Sequence, residues 1–279
     1  MTWLILSPCA LTLATVLGLV LALSTRREEP LGLARKGLIF RIMLVTILET
    51  GRAPGPLSET HPLYPDMFAS LLSQVDEGLR FRTVALVDGE ALPDPASCEG
   101  VVITGSPAGV YDTTPWMDPL RGFIRGAFAA KTPMIGVCFG HQIIADAMGG
   151  AVRKSEKGWG VGRHTYDVLG APAWMVDAGA TVALSVSHQD QVIAPPKGAV
   201  TLARSAHTDY AMLAYDVAPV MSLQGHPEFS DEFVAALYSA RRGKSLSDAQ
   251  VDDAIASLSS PVDRVLVGQW MARFLRTSR

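Results

Sequence analysis

From residue 39 onwards the chain alternates between two hydrophobic rhythms. Residues 39–48, 81–87, 100–104 and 133–137 form short runs, apolar almost throughout and bounded by turn signals. Residues 64–75, 116–130 and 140–148, lying between these runs, place their apolar positions at helical spacing. Strands that are apolar on both faces and alternate with helices predict a parallel sheet covered on both sides. The rhythm then changes. Residues 161–168, 181–186, 200–204, 211–215 and 220–223 are strand-like runs set close together, which predicts antiparallel or mixed additions to that sheet. Helical patterns at 231–242, 247–258 and 262–275 close the chain. No repeat or linker divides this region, so residues 39–279 are expected to form one α/β sandwich domain.

Residues 1–38 follow neither rhythm. Residues 3–23 are almost continuously apolar, and Arg26, Arg27, Arg35 and Lys36 come after them. About 20 apolar residues can span a bilayer. Positive charge on the far side would leave the body in the cytoplasm, and a signal peptide would carry its charge first. Two readings stand: a membrane anchor with a cytoplasmic body, or a start placed upstream of the natural one, with Met43 inside the first strand.

Composition narrows the classes. The 279 residues are 48% hydrophobic and 18% charged, too apolar for a disordered chain. A formal net charge of -3 gives no electrostatic footprint for nucleic acid. Cys9, Cys98 and Cys138 are odd in number and widely spread, so no disulfide framework or CxxC knuckle is expected and a reducing compartment is favoured. None of the six histidines forms an H-x-H or H-E-x-x-H pair, so a zinc hydrolase is not expected, and the expected cofactor is none.

Candidate chemistry centres on Gly136-Val137-Cys138-Phe139-Gly140-His141-Gln142. An apolar strand ends at Val137 and a helix-compatible run begins near Phe139. G-x-C-x-G is the cysteine form of a nucleophile elbow, in which glycines permit the sharp turn and the close approach of neighbours. The thiol then stands at the carboxyl end of the sheet and at a helix N-terminus, whose partial charge favours thiolate. A thiol nucleophile needs a base, and the base needs an orienting group. Gln224-Gly225-His226-Pro227-Glu228-Phe229 supplies both. Pro227 biases His226 towards extended backbone, where residues two apart share a side, so Glu228 can bond the imidazole nitrogen turned away from Cys138. His141, three residues along the helix from Cys138, is expected to pack or face water instead. His61, His164 and His207 have no matching partners in the sequence.

With its elbow G-V-C-F-G-H-Q and its later G-H-P-E, the chain resembles the class I, triad-type glutamine amidotransferases over nearly the whole body. The resemblance implies a three-layer, flavodoxin-like sandwich with a mostly parallel central sheet. It implies that Cys138 is the nucleophile, His226 the general base and acid, and Glu228 the orienting carboxylate. Thr104-Gly105-Ser106-Pro107 stands where the family carries its oxyanion loop, so the amides of Gly105 or Ser106 and of Phe139 are the implied donors. One such donor is worth ~3–4 kcal/mol. Gln142 is the implied substrate-holding glutamine. Ser187-His188-Gln189-Asp190 resembles the S-H-x-D loop of the GMP-synthetase glutaminase branch and is implied to grip the α-amino and α-carboxylate groups of a glutamyl substrate. His188 also reads as a turn residue bonded to Asp190, and both readings stay open.

The implied activity is cysteine-dependent hydrolysis of a γ-glutamyl amide through a γ-glutamyl thioester. The substrate would be glutamine or another γ-glutamyl small molecule. With glutamine, an ammonia-accepting synthetase in trans is the expected partner. The alternatives are a stand-alone γ-glutamyl peptide hydrolase and a non-catalytic regulatory module. No P-loop and no S-G-G-x-D-S motif occurs in the 279 residues, so synthesis of a nucleotide or amino acid within the chain is not expected. Gly225 replaces the phenylalanine frequent before the family's histidine, which predicts a missing aromatic wall beside the base.

Overall fold

The computed structural model describes residues 41–278. The expected 1–38 segment, with its two readings, lies outside them. Among the described residues no helix is long and apolar enough to cross a membrane.

The first half is the predicted alternation. β1 (Met43–Glu49), β2 (Leu79–Ala85), β3 (Gly100–Ile103) and β4 (Met134–Val137) are strands, and a later strand, β11 (Val220–Leu223), joins them. They lie parallel in the order β2-β1-β3-β4-β11. Between them run α1 (Leu57–Thr60), α2 (Tyr64–Val75), α3 (Met117–Ala130) and α4 (Phe139–Ala147). Why the strands read as unbroken apolar runs is visible in β3. Val102 belongs to the core under Phe68, Leu72, Trp270 and Phe274, while Val101 and Ile103 belong to the core over Leu120, Ile124 and Ile144. Successive side chains enter opposite layers, and neither face is left for water.

The second half extends the sheet antiparallel beyond β11, through β10 (Met212–Tyr215), β9 (Ala199–Arg204), β6 (Gly160–Val168) and β7 (Thr181–His188). β5 (Ala151–Lys154) and β8 (Asp190–Ala194) pair separately, a small ribbon the hydrophobic rhythm does not announce. Three helices close the chain: α5 (Asp231–Arg241), α6 (Asp248–Ser257) and α7 (Arg264–Thr277). α7 packs beside α2 on one face of the sheet, and α3 and α4 cover the other. α5 and α6 build a third core from Phe233, Leu237, Tyr238 and Val251 around Phe229 and Tyr64. The result is the expected three-layer α/β sandwich.

Local signals set several boundaries. Pro65 opens α2 at a position where a helix needs no amide donor. Ser230 caps α5 by accepting from the Phe233 amide, and Ser247 and Gln250 form a reciprocal capping box on α6.

Candidate active site

Cys138 is the hinge between β4 and α4. Its backbone sits at φ 54 and ψ -103, a conformation L residues rarely adopt and one that costs ~1–3 kcal/mol. The flanking glycines make the turn sterically feasible. A Cβ on Gly136 would lie 2.4 Å from the Gly140 carbonyl oxygen, and one on Gly140 would lie 2.3 Å from the Ile103 carbonyl oxygen. The strand, the helix and β3 approach so closely that only hydrogen fits. Gly140 N donates to Thr104 O at 3.2 Å, which ties the elbow to the loop after β3.

That loop carries Gly105 and Ser106. Thr50 anchors it, donating through its hydroxyl to the Thr104 and Gly105 carbonyl oxygens at 3.0 and 3.2 Å. The amides of Gly105, Ser106 and Phe139 donate to no protein acceptor among the described residues. Gly105 is also close to the Cys138 and His226 side chains. A Cβ there would stand 3.1 Å from His226 Cε1 and 3.8 Å from Cys138 Cβ.

His226 leaves β11 and forms an isolated antiparallel bridge to β7, its amide donating to Ser185 O at 2.9 Å. Pro227 and Glu228 turn rather than run extended. The pair still meets: His226 Nδ1 and Glu228 Oε1 are 2.7 Å apart, with both residues buried. Arg264 fixes this turn by donating to the Pro227 and Glu228 carbonyl oxygens at 2.9 and 3.1 Å. With Nδ1 engaged by Glu228, Nε2 is the nitrogen left to face the sulfur. Burial pushes the imidazole pKa down, but attraction to Glu228 and Cys138 outweighs it and raises the value to about 10. Thus Cys138, His226 and Glu228, far apart in the chain, are brought together.

The aromatic wall is present too, from another position. Phe229 stacks on His226, ring centroids 3.9 Å apart and planes 6° from parallel. Gly225 does not open the pocket as its missing side chain suggests. A Cβ there would meet Leu184 at 3.0 Å, away from the cavity. Glycine at 225 lets the segment that follows β11 pass close to Leu184 of β7.

Cys138 and His226 open onto a cavity of about 480 Å³. Gln142, Ser187, His188, Gln189 and Asp190 all border it. Gln142 Nε2 donates to Asp190 O at 2.8 Å and to Gln224 Oε1 at 3.2 Å, so the side chain is fixed rather than solvent-facing. Ser187 and His188 end β7 and Asp190 begins β8, so the expected loop is a tight strand connection. Asp190 Oδ1 accepts from the Tyr111 hydroxyl at 3.1 Å. His188 Nδ1 meets the Asp190 carbonyl oxygen at 3.2 Å, the turn contact foreseen, and burial holds this imidazole well below its ordinary pKa.

The remaining histidines are accounted for. His141 is fully buried, bonded to Ser222 Oγ at 2.8 Å, and lowered by burial to about 3, so it packs rather than serving as a base. His61 packs on Phe233. His164 and His207 do find ring partners, each other at 5.2 Å and, for His207, His188 at 5.8 Å. Among the described residues no group of three or more His, Cys, Asp or Glu is placed to hold a metal ion.

The family model for glutamine amidotransferase class-I matches residues 76–233, which contain the elbow, the loop after β3 and the histidine–glutamate turn. The chain belongs to this family. A glutamine amidotransferase-like protein of Schizosaccharomyces pombe is 28% identical over 83% of this chain and 98% of its own length. Gamma-glutamyl peptidase 4 of Arabidopsis thaliana is 32% identical over 63% of this chain and 72% of that protein. A GMP synthase [glutamine-hydrolyzing] of Desulfotalea psychrophila is 34% identical over 46% of this chain and 24% of that protein. A solved glutamine amidotransferase from Thermotoga maritima shares the fold, with TM-score 0.68 and 16% identity over 84% of this chain and 99% of that one.

This amidotransferase domain also lines its cavity with residues the sequence does not flag. Tyr64, Trp159 and Arg241 border it, as do Arg52 and Tyr111. They come from helix ends and loops, where only tertiary packing decides which way a side chain turns.

Proposed function

We propose that the protein hydrolyses γ-glutamyl amides through a γ-glutamyl thioester on Cys138. The observation that carries this reading is the buried chain of contacts from Cys138 through His226 to Glu228, opening on a cavity. The proton of the thiol already resides on His226 Nε2, so the sulfur attacks the γ-carbonyl carbon as a thiolate paired with the imidazolium. The oxyanion is held by the Phe139 amide together with that of Gly105 or Ser106. The imidazolium, held by Glu228, returns its proton to the departing amine. Water then attacks the thioester with His226 as base, releasing glutamate and restoring the thiol. Gln142 and the Ser187–Asp190 connection hold the glutamyl α-groups.

Cavity size bears on the leaving group. About 480 Å³ falls within the ~300–1,000 Å³ of small-molecule sites and leaves room for a γ-glutamyl peptide as well as for glutamine. The gamma-glutamyl peptidase relatives favour the peptides. A glutaminase passing ammonia to a synthetase in trans is the second reading, supported by the GMP synthase relatives.

The test measures glutamate release from γ-glutamyl dipeptides and from glutamine by the full chain and by Cys138→Ala. Wild type is expected to cleave the dipeptides faster than glutamine, and Cys138→Ala neither. Equal rates in the two proteins would remove the nucleophile assignment, and glutamine as the better substrate would favour the synthetase-coupled reading.

A further inference from the structure

Arg241 and Arg242 end α5 side by side and meet opposite surroundings. Arg242 reaches Asp252 Oδ1 at 2.6 Å and Asp248 Oδ1 at 3.5 Å, near water. Arg241 turns inward to the cavity that holds Cys138 and His226. Its Nη1 donates to Ser187 Oγ at 2.7 Å, and its guanidinium carbon stands 4.8 Å from the Trp159 ring centroid. Among the described residues no carboxylate pairs with it. Arg52, also at the cavity, is by contrast neutralised by Glu49 and Asp88. Burial lowers the proton affinity of Arg241, with only Tyr64, Cys138 and Tyr238 acting the other way.

A guanidinium does not lose its proton in a protein, and a charge withdrawn from water is costly until something of opposite sign meets it. Trp159 and Ser187 hold the planar group in one orientation while N–H groups remain that the protein does not use. That is the geometry that binds a carboxylate through two parallel bonds. Asp112 and Asp190 line the same cavity, as do Lys154 and Lys244. Among these cations Arg241 is the one held in a fixed orientation by a ring and a hydroxyl, which suits a carboxylate.

We propose that Arg241, oriented by Trp159 and Ser187, is the receptor for the α-carboxylate of the γ-glutamyl group. The inference rests on the γ-glutamyl reading above and assigns the specificity of that site to one side chain. Arg241 selects the acyl half of the substrate and leaves the leaving amine free to vary.

The test compares γ-glutamylglycine, 4-aminobutanoylglycine (no α-carboxylate) and γ-glutamylglycinamide (no leaving-group carboxylate) on the full chain. Wild type is expected to prefer γ-glutamylglycine to 4-aminobutanoylglycine by about 100-fold or more in kcat/KM and to accept the glycinamide within a few-fold. Arg241→Met should bring the first ratio near unity, mainly through KM, and Arg241→Lys should fall between. Wild-type discrimination under about 10-fold overturns the proposal without any variant. So does an Arg241→Met ratio equal to wild type, or a variant that responds only to the glycinamide change, which moves the anion to the leaving group.

A second measurement needs no turnover. Alkylation of Cys138 by iodoacetate relative to iodoacetamide, mapped by peptide mass, should fall at least 5-fold in Arg241→Met, and an unchanged ratio overturns the proposal. Inactivity of wild type on every γ-glutamyl compound is the failure of the proposed function. Hydrolysis with discrimination indifferent to Arg241 is the failure of this inference alone.

Discussion

The imidazole of His226 lies flat on the phenyl ring of Phe229, 3.9 Å between centroids and 6° between planes. Phe229 is itself 1% exposed and packed edge-on to Phe233 at 4.7 Å. The imidazole is thus fixed by a hydrogen bond at one ring nitrogen and by a surface beneath the ring. Phe229→Leu keeps the apolar volume and removes the flat support. It should cost ~1–2 kcal/mol in urea denaturation and lower kcat about 10-fold with a smaller change in KM. Unchanged kcat in a destabilised variant would reduce Phe229 to packing alone.

In the proposed mechanism Glu228 acts on both rate and pH dependence. Glu228→Gln keeps the shape but not the charge, and kcat should fall ~10²–10⁴-fold. Burial lowers the His226 pKa, and Glu228 and Cys138 more than reverse this, to about 10 against an unfolded 6.5. A group raised on folding binds more protons in the folded state. Its stabilisation is complete below pH 6.5 and is lost as pH rises through about 10. The stability gap between wild type and Glu228→Gln should therefore be widest near pH 6 and narrow by pH 10. Denaturation curves at pH 6, 8 and 10 measure it, and a gap constant with pH would separate Glu228 from the imidazolium.

Much of this site was legible because close approach leaves a mark in sequence. Gly136 and Gly140 stand where β4, α4 and the end of β3 leave no room for a Cβ, so the spacing of the two glycines around Cys138 already marks the elbow. The central strands were legible for a related reason, burial on both faces. β5 and β8 were not, because the first is a four-residue Ala-Val-Arg-Lys run and the second opens on Asp190 and Gln191. Arg241 was invisible beside Arg242, since nothing in the tandem says which turns inward. Gly225 misled because a family difference beside the base looks like a pocket change, yet the position faces Leu184.

Two glycine substitutions should separate fold from chemistry. At Gly140 a methyl group would sit 2.3 Å from a backbone oxygen that cannot step aside. Gly140→Ala should cost ~3 kcal/mol or more, read from the denaturation midpoint. At Gly105 the nearest atom is His226 Cε1 at 3.1 Å, a side chain able to give by a few tenths of an ångström. Gly105→Ala should lose under ~1 kcal/mol but lower kcat at least 10-fold by displacing the base. Comparable stability losses in the two variants would contradict this division.

The last prediction concerns the clasp that holds α7 to the loop after α2. Arg276 Nε and Nη2 donate to Asp76 Oδ2 and Oδ1 at 2.8 and 3.0 Å. The same guanidinium also donates to the Arg41 carbonyl oxygen, so one side chain ties α7 to the entry of β1 and to the exit of α2. The Arg276 contact lowers the Asp76 pKa below 3.8, with burial opposing and the Gly78 amide assisting. A carboxylate depressed on folding contributes stability above its unfolded pKa, and loses it as pH falls through the folded value. Both side chains are partly exposed, 24% and 15%, so water screens the pair and ~1 kcal/mol is the expected size. Asp76→Asn should lower stability by that amount at pH 7 and by less as the pH drops below 3.8. Salt should shrink the difference as well. Urea titrations of wild type and variant at pH 7 and pH 3, with and without 0.5 M NaCl (~4 Å screening length), measure it. A deficit that stayed constant across both variables would mean that Asp76 acts through its backbone turn with Gly78 rather than through its charge.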